Sequence, residues 1–116
     1  MLTIHAGQMR AFDDQSRQRF VAEEVRRVRA ERGERAAGVS DATIEQFVEQ
    51  AIARAKAHGL VGVSDVRRYV DLSLRLGPAF EDEPRHQALR RTLEATELSG
   101  QVRLDRIEAM LVPPSA

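Results

Sequence analysis

The groups in this chain best suited to chemistry at neutral pH are three histidines, His5, His58 and His86, and the acidic run Glu81-Asp82-Glu83. A zinc site on a helix uses two histidines at i and i+4, or a cluster of cysteine and histidine. No two histidines here have that spacing, and the chain has no cysteine. His58 falls in the last turn of a predicted helix, where positive charge meets the negative end of the dipole. Its expected role is capping or a solvated position, ahead of a metal or catalytic one. The acidic run lacks the alternating ligands and glycine bend of a calcium loop. Just before a helix start, its carboxylates are expected to favour the macrodipole by a few tenths of a kcal/mol each. Binding a cation or a basic partner is the alternative use. Ser64, Ser73 and Ser99 sit in no GxSxG context and have no partnered histidine and aspartate. The expectation is a chain that is not an enzyme, with no catalytic residue, cofactor or metal site.

The N-terminal third is rich in arginine, from Arg10 and Arg17 to Arg32 and Arg35, with acidic residues interleaved. Pairs such as Asp13 with Arg17 and Glu23 with Arg27 stand at i, i+4, so an ion-paired, solvated face is expected rather than a phosphate-binding one. The aromatic residues of this stretch, Phe12 and Phe20, fall on its apolar stripe, which leaves none on the arginine-bearing face to stack a base. Eighteen basic residues balance eighteen acidic ones, whereas a nucleic-acid-binding domain gathers positive charge in a stripe. The opening residues lack the basic and apolar regions of a signal peptide. No run approaches the 18 apolar residues of a membrane span. A cytoplasmic protein that binds neither nucleic acid nor membrane is expected.

The elements that must position these groups are marked by regular punctuation. At 116 residues the chain is expected to form one domain over 1–116. A first helix is predicted from about Ala6 to Arg32, with Met9, Phe12, Phe20, Val25 and Val28 inward and Gly33 as a left-handed stop. The linker 34–39 is expected to be exposed. The second helix is capped by Ser40 or Asp41 and carries Ile44, Phe47, Val48, Ala51, Ile52 and Ala55 on one stripe. Gly59-Leu60 predicts a Schellman end. The third helix has Ser64 as N-cap, and Val66, Tyr69, Val70, Leu72, Leu74 and Leu76 cover an arc of roughly 200° at about 100° per residue. An arc that wide predicts a central helix covered on several sides. Gly77-Pro78 stops it. Pro84 suits the first turn of a fourth helix ending near Leu98. Ser99-Gly100 breaks the chain before a fifth, with Leu104, Ile107, Met110 and Leu111 inward, and 112–116 is a flexible tail. The predicted fold class is all-α, a compact bundle of about five helices around a central apolar third helix.

From Val61 to Pro84 the chain carries a glycine-led turn, a capped helix with a Tyr-Val-Asp-Leu centre, then Gly-Pro-x-Phe, acidic residues and proline. This resembles a group of small helical bacterial proteins encoded beside type VI secretion spike and PAAR-tip genes. The matching residues include Gly62, Asp65, Val66, Tyr69, Asp71, Leu72, Gly77, Pro78, Phe80, Asp82 and Pro84. The opening Leu2-Thr3-Ile4, Gln8-Met9 and Phe12 is similar too, as is Ile52-Ala53-Arg54-Ala55 leading to His58-Gly59. The chain departs from the group in lacking a tryptophan soon after Pro84 and in carrying Arg67 where the group has cysteine. The resemblance implies a non-enzymatic adaptor or chaperone-like protein that binds a secretion tip or effector component. An immunity-type protein that neutralises a cognate toxin is the alternative, with the acidic run as its candidate face. The candidate protein-interaction residues are Gly77, Pro78, Phe80, Glu81, Asp82 and Glu83. For Phe80, a core plug beneath the loop is expected ahead of a partner anchor.

Overall fold

A computed structural model describes residues 14–111 of the chain. The expectations for Ala6 to Asp13, for His5 and for the tail 112–116 lie outside the described residues. Five α-helices account for most of the rest: α1 (Asp14–Arg32), α2 (Asp41–Ala57), α3 (Val63–Leu76), α4 (Gln87–Leu93) and α5 (Gly100–Leu111). Three short 3-10 turns join them, at Gly33–Ala36, Phe80–Asp82 and Pro84–His86. Among the described residues there is no β-strand, so the fold is the expected all-α bundle.

The first three helices pack in chain order, and the last closes on the third. α1 lies on α2, α2 on α3, α3 on α5, and α4 on α5. α3 therefore runs through the middle, and its Val66, Tyr69, Val70 and Leu72 are almost wholly buried. Phe20, Val25 and Val28 of α1 face the core as predicted, and so do Ile44, Val48, Ala51, Ile52 and Ala55 of α2. Phe47 is half-buried and packs against the same cluster. On α5, Leu104 and Ile107 are buried and Leu111 leans on the core. Met110, expected inward, is 47% exposed.

The helix ends follow the chemistry of their residues. Gly33 has φ +51 and turns the chain out of α1. The linker after it is less exposed than expected, because Ala36 is buried and Val39 packs on the core. The Ser40 side chain accepts from the Thr43 amide at 3.1 Å, satisfying one orphan donor of α2. At the other end Leu60 N–H donates to Ala55 O and Gly59 N–H to Lys56 O, both at 2.9 Å. That pair of bonds is a Schellman motif, with Gly59 at φ +79 and Leu60 folded into the core.

Three boundaries differ from expectation. α3 begins one residue before Ser64, with Gly62 as N-cap in extended backbone and no side-chain cap. Ser99 caps α5 by accepting from the Val102 amide at 3.1 Å, so Gly100 opens this helix rather than breaking the chain. α4 stops at Leu93, short of Leu98. Beyond it the guanidinium of Arg103 on α5 donates to the carbonyls of Leu93 at 2.7 Å and Leu98 at 3.2 Å.

Candidate functional site

Backbone turns and helix packing bring Arg54 and His58 of α2, Tyr69 of α3 and Glu81 of the Phe80–Asp82 turn to one point. Glu81 is 1% exposed. Its Oε2 accepts from the Tyr69 hydroxyl at 2.6 Å and the Arg54 Nε at 3.3 Å, and lies 2.7 Å from His58 Nε2. Its Oε1 is buried without a hydrogen-bond partner. Burial alone would raise this carboxyl, yet the bonds from His58 and Tyr69, with the Arg54 charge, bring it down to about 2. Burial first, and then the Glu81 carboxylate, push the Tyr69 phenol above its ordinary value. The cluster is a fixed, ionised staple between three elements, with its carboxylate held out of reach of solvent.

The acidic run therefore does not sit over a helix dipole, as its place before Pro84 suggests. Its members turn instead to arginines, with Glu81 and Asp82 sharing Arg54. Glu81 takes Arg54, Asp82 takes Arg54 at 2.9 Å and Arg90 at 3.7 Å, and Glu83 takes Arg85 at 2.8 Å. His58 is the C-cap residue of α2 in backbone terms, but its ring is committed to Glu81 rather than solvated. His86 donates from Nδ1 to the Phe80 carbonyl at 2.8 Å. Phe80 is wholly buried, with its ring 5.5 Å from Tyr69 and 6.2 Å from His86. It plugs the core beneath the loop.

The candidate residues thus fall on separate surfaces. Gly77 and Pro78 line an apolar groove formed where α1, α2 and the end of α3 diverge. The groove consists of two adjoining cavities that share Phe47, Ser73 and Pro78 as walls. The first, of about 270 Å³, reaches Ala53 and Arg54. The second, of about 310 Å³, runs past Val39 and Ile44 to Arg32 and Arg35. Asp82 and Glu83 instead line a separate, more polar depression of about 410 Å³ with Gln87, Arg90, Arg91 and Glu94.

A second buried charge lies outside the sequence-based expectations. Glu24, 1% exposed, lies between Arg27 and Arg67, and Arg27 reaches on to Asp71 at 2.7 Å. The hydrogen bond to Glu24, followed by that to Asp71, raises the Arg27 guanidinium further, against its burial. Arg67 also lies over the Phe20 ring at 5.8 Å, a cation–π contact that ties α1 to α3. Arg27 thus pairs with Glu24 and Glu31 rather than with the expected Glu23. The sequence does carry a signal for Glu24 and for Arg103. Glu24 stands four residues from both Phe20 and Val28, and Arg103 four from Ile107, each on an apolar stripe.

No group of histidine, aspartate and glutamate among the described residues is arranged to hold a metal ion. No helix among them is long and apolar enough to cross a membrane. In comparison with known proteins, no family model, curated protein or solved structure matches this chain.

Proposed function

We propose that this chain is a non-enzymatic accessory protein, an adaptor or chaperone-like factor, that holds a segment of a protein partner in the groove between α2 and the end of α3. The observation that carries this reading is the apolar groove walled by Phe47, Ser73 and Pro78, left open where three helices diverge. Grooves of this kind receive side chains of a partner's amphipathic segment. The most strongly perturbed carboxylate, Glu81, is buried and saturated on Oε2, which favours a scaffolding role for it over an encounter with substrate. The resemblance across Gly62 to Pro84 supplies the partner class, a type VI secretion tip or effector component. Asp82 and Glu83 are matched by the chain's own arginines, and for that reason the adaptor reading is preferred to an immunity-type protein with a free acidic face.

Site-specific photocrosslinking tests this. A benzophenone side chain at Gln50 or Thr43, exposed positions on the groove wall, is introduced into the full chain in its native cell. The expected product is a covalent adduct with a secretion tip or effector component. Adducts only with unrelated abundant proteins would overturn the proposal.

A further inference from the structure

Resting on the reading that the groove is a partner site, we infer that its occupant is an α-helix with an apolar stripe flanked by acidic residues. Two observations carry this: the absence of any strand edge beside the groove among the described residues, and the sign of the charge around it.

An extended segment laid against apolar walls would leave backbone N–H and C=O groups unpaired. Each costs about 1–3 kcal/mol when buried and unsatisfied. Peptides that bind extended usually recover those bonds from a sheet edge. The described residues contain no strand to offer one. A helix satisfies its own backbone and presents only side chains, so it can enter an apolar groove without that loss. Two adjoining cavities separated by Phe47, Ser73 and Pro78 then accept apolar side chains from one face of that helix.

The groove is lined by Arg32, Arg35 and Arg54, and by no carboxylate among the described residues. Arg54 is neutralised by Glu81 and Asp82. Arg32 donates to the Leu74 carbonyl, a bond that leaves its charge uncompensated. Arg35 is exposed on the groove wall, and no ion pair among the described residues includes it. In a chain whose total charge is balanced, the lining of the groove itself is positive at its Arg32–Arg35 end. Charge at a rim selects the partner and speeds encounter more than it adds affinity. Glutamates or aspartates beside the apolar stripe are the complement.

Two synthetic peptides of about 14 residues, or four helical turns, test the inference. Both carry the same leucine stripe, one flanked by glutamates and the other by lysines. Binding to the full chain is read by fluorescence anisotropy at about 0.05 M and 0.3 M salt, a range over which exposed charges become screened. The acidic peptide is expected to bind at least about ten-fold more tightly at low salt, and the preference to shrink at high salt. Arg35→Glu should weaken the acidic peptide about five-fold or more. Ala53→Trp, at an exposed position on the groove wall, should abolish binding while leaving the circular dichroism spectrum unchanged. Equal affinities for the two peptides, or binding that ignores both substitutions, would overturn the inference. So would a concentration-dependent dimer lost in Ala53→Trp, since a second copy would then be the occupant. If neither peptide binds but a tip component still crosslinks, this inference falls and the adaptor role stands. Acid-selective binding without any tip adduct supports the helical, acidic occupant and removes the secretion tip as its source.

Discussion

At the scale of single residues, one stabilising feature is a carboxylate that no longer titrates where carboxylates ordinarily do. Glu81 is held at about 2 against an ordinary 4.5, because Tyr69, His58 and Arg54 all favour its ionised form. A lowered folded-state pKa contributes stability above the unfolded value, and that contribution is lost as pH falls from about 4.5 towards 2. With Arg54 partly open to solvent, the contribution is about 2 kcal/mol. Glu81→Gln should therefore lose about that much at neutral pH and show a flatter decline in acid. Urea denaturation of both forms between about pH 6 and 2.5 measures it; parallel curves would remove the cluster from the account of stability. Arg103 makes a different demand. It is 4% exposed and donates to the carbonyls of His58, Leu93 and Leu98, from three separate stretches of chain. Arg103→Met keeps the stem and removes every donor, so it should cost about 3 kcal/mol. A loss below about 0.5 kcal/mol would mean that water replaces the guanidinium at all three carbonyls.

At the scale of elements, the chain's punctuation is where sequence and structure agree best. Gly33, the Ser40 cap and the Gly59-Leu60 end are local events, decided by backbone sterics and by side chains within a few residues, so they are legible one segment at a time. The end of α4 is not legible in this way, because the guanidinium that meets its last carbonyl lies ten residues away on another helix. Two substitutions separate backbone strain from packing. Gly59 has φ +79, and a methyl group there would meet only the end of Arg103 at 3.9 Å. Gly59→Ala should therefore cost about 1 kcal/mol through the backbone alone. Ala79, at φ 57 and ψ 36, already carries that strain between Pro78 and Phe80. Ala79→Gly relieves the strain but frees the unfolded chain, for a net gain of about 0.5 kcal/mol. Shifts of opposite sign in the urea midpoint are expected. A stabilising Gly59→Ala would show that the Schellman turn has an alternative without positive φ.

At the scale of the whole molecule, what sequence could not reveal is which elements meet. Arg54, His58, Tyr69 and Glu81 come from three elements, and periodicity within any one of them says nothing about the others. The groove is harder still to foresee, since it is a place where three apolar stripes fail to close on one another. Glu24 and Arg103 are foreseeable in kind, as charges on apolar stripes, but their partners are not. The assembled molecule is uneven. α2 and α3 bury long stripes against each other, whereas α4 has seven residues and buries only Leu89 and Leu93. α4 is joined to the rest through α5, the Phe80–Asp82 turn and the Arg103 guanidinium. Local opening should therefore begin there, with amide exchange slowest in α2 and α3 and faster in α4. Arg103→Met sharpens the test. If Arg103 is the tie that closes the C-terminal half, exchange in α4 and the first turn of α5 should accelerate roughly a hundred-fold, the equivalent of about 3 kcal/mol. The amides of α2 and α3 should then change less, because their opening is set by the core they share. Equal acceleration throughout would mean that the bundle opens only as a unit, and that Arg103 stabilises the whole fold rather than its C-terminal half.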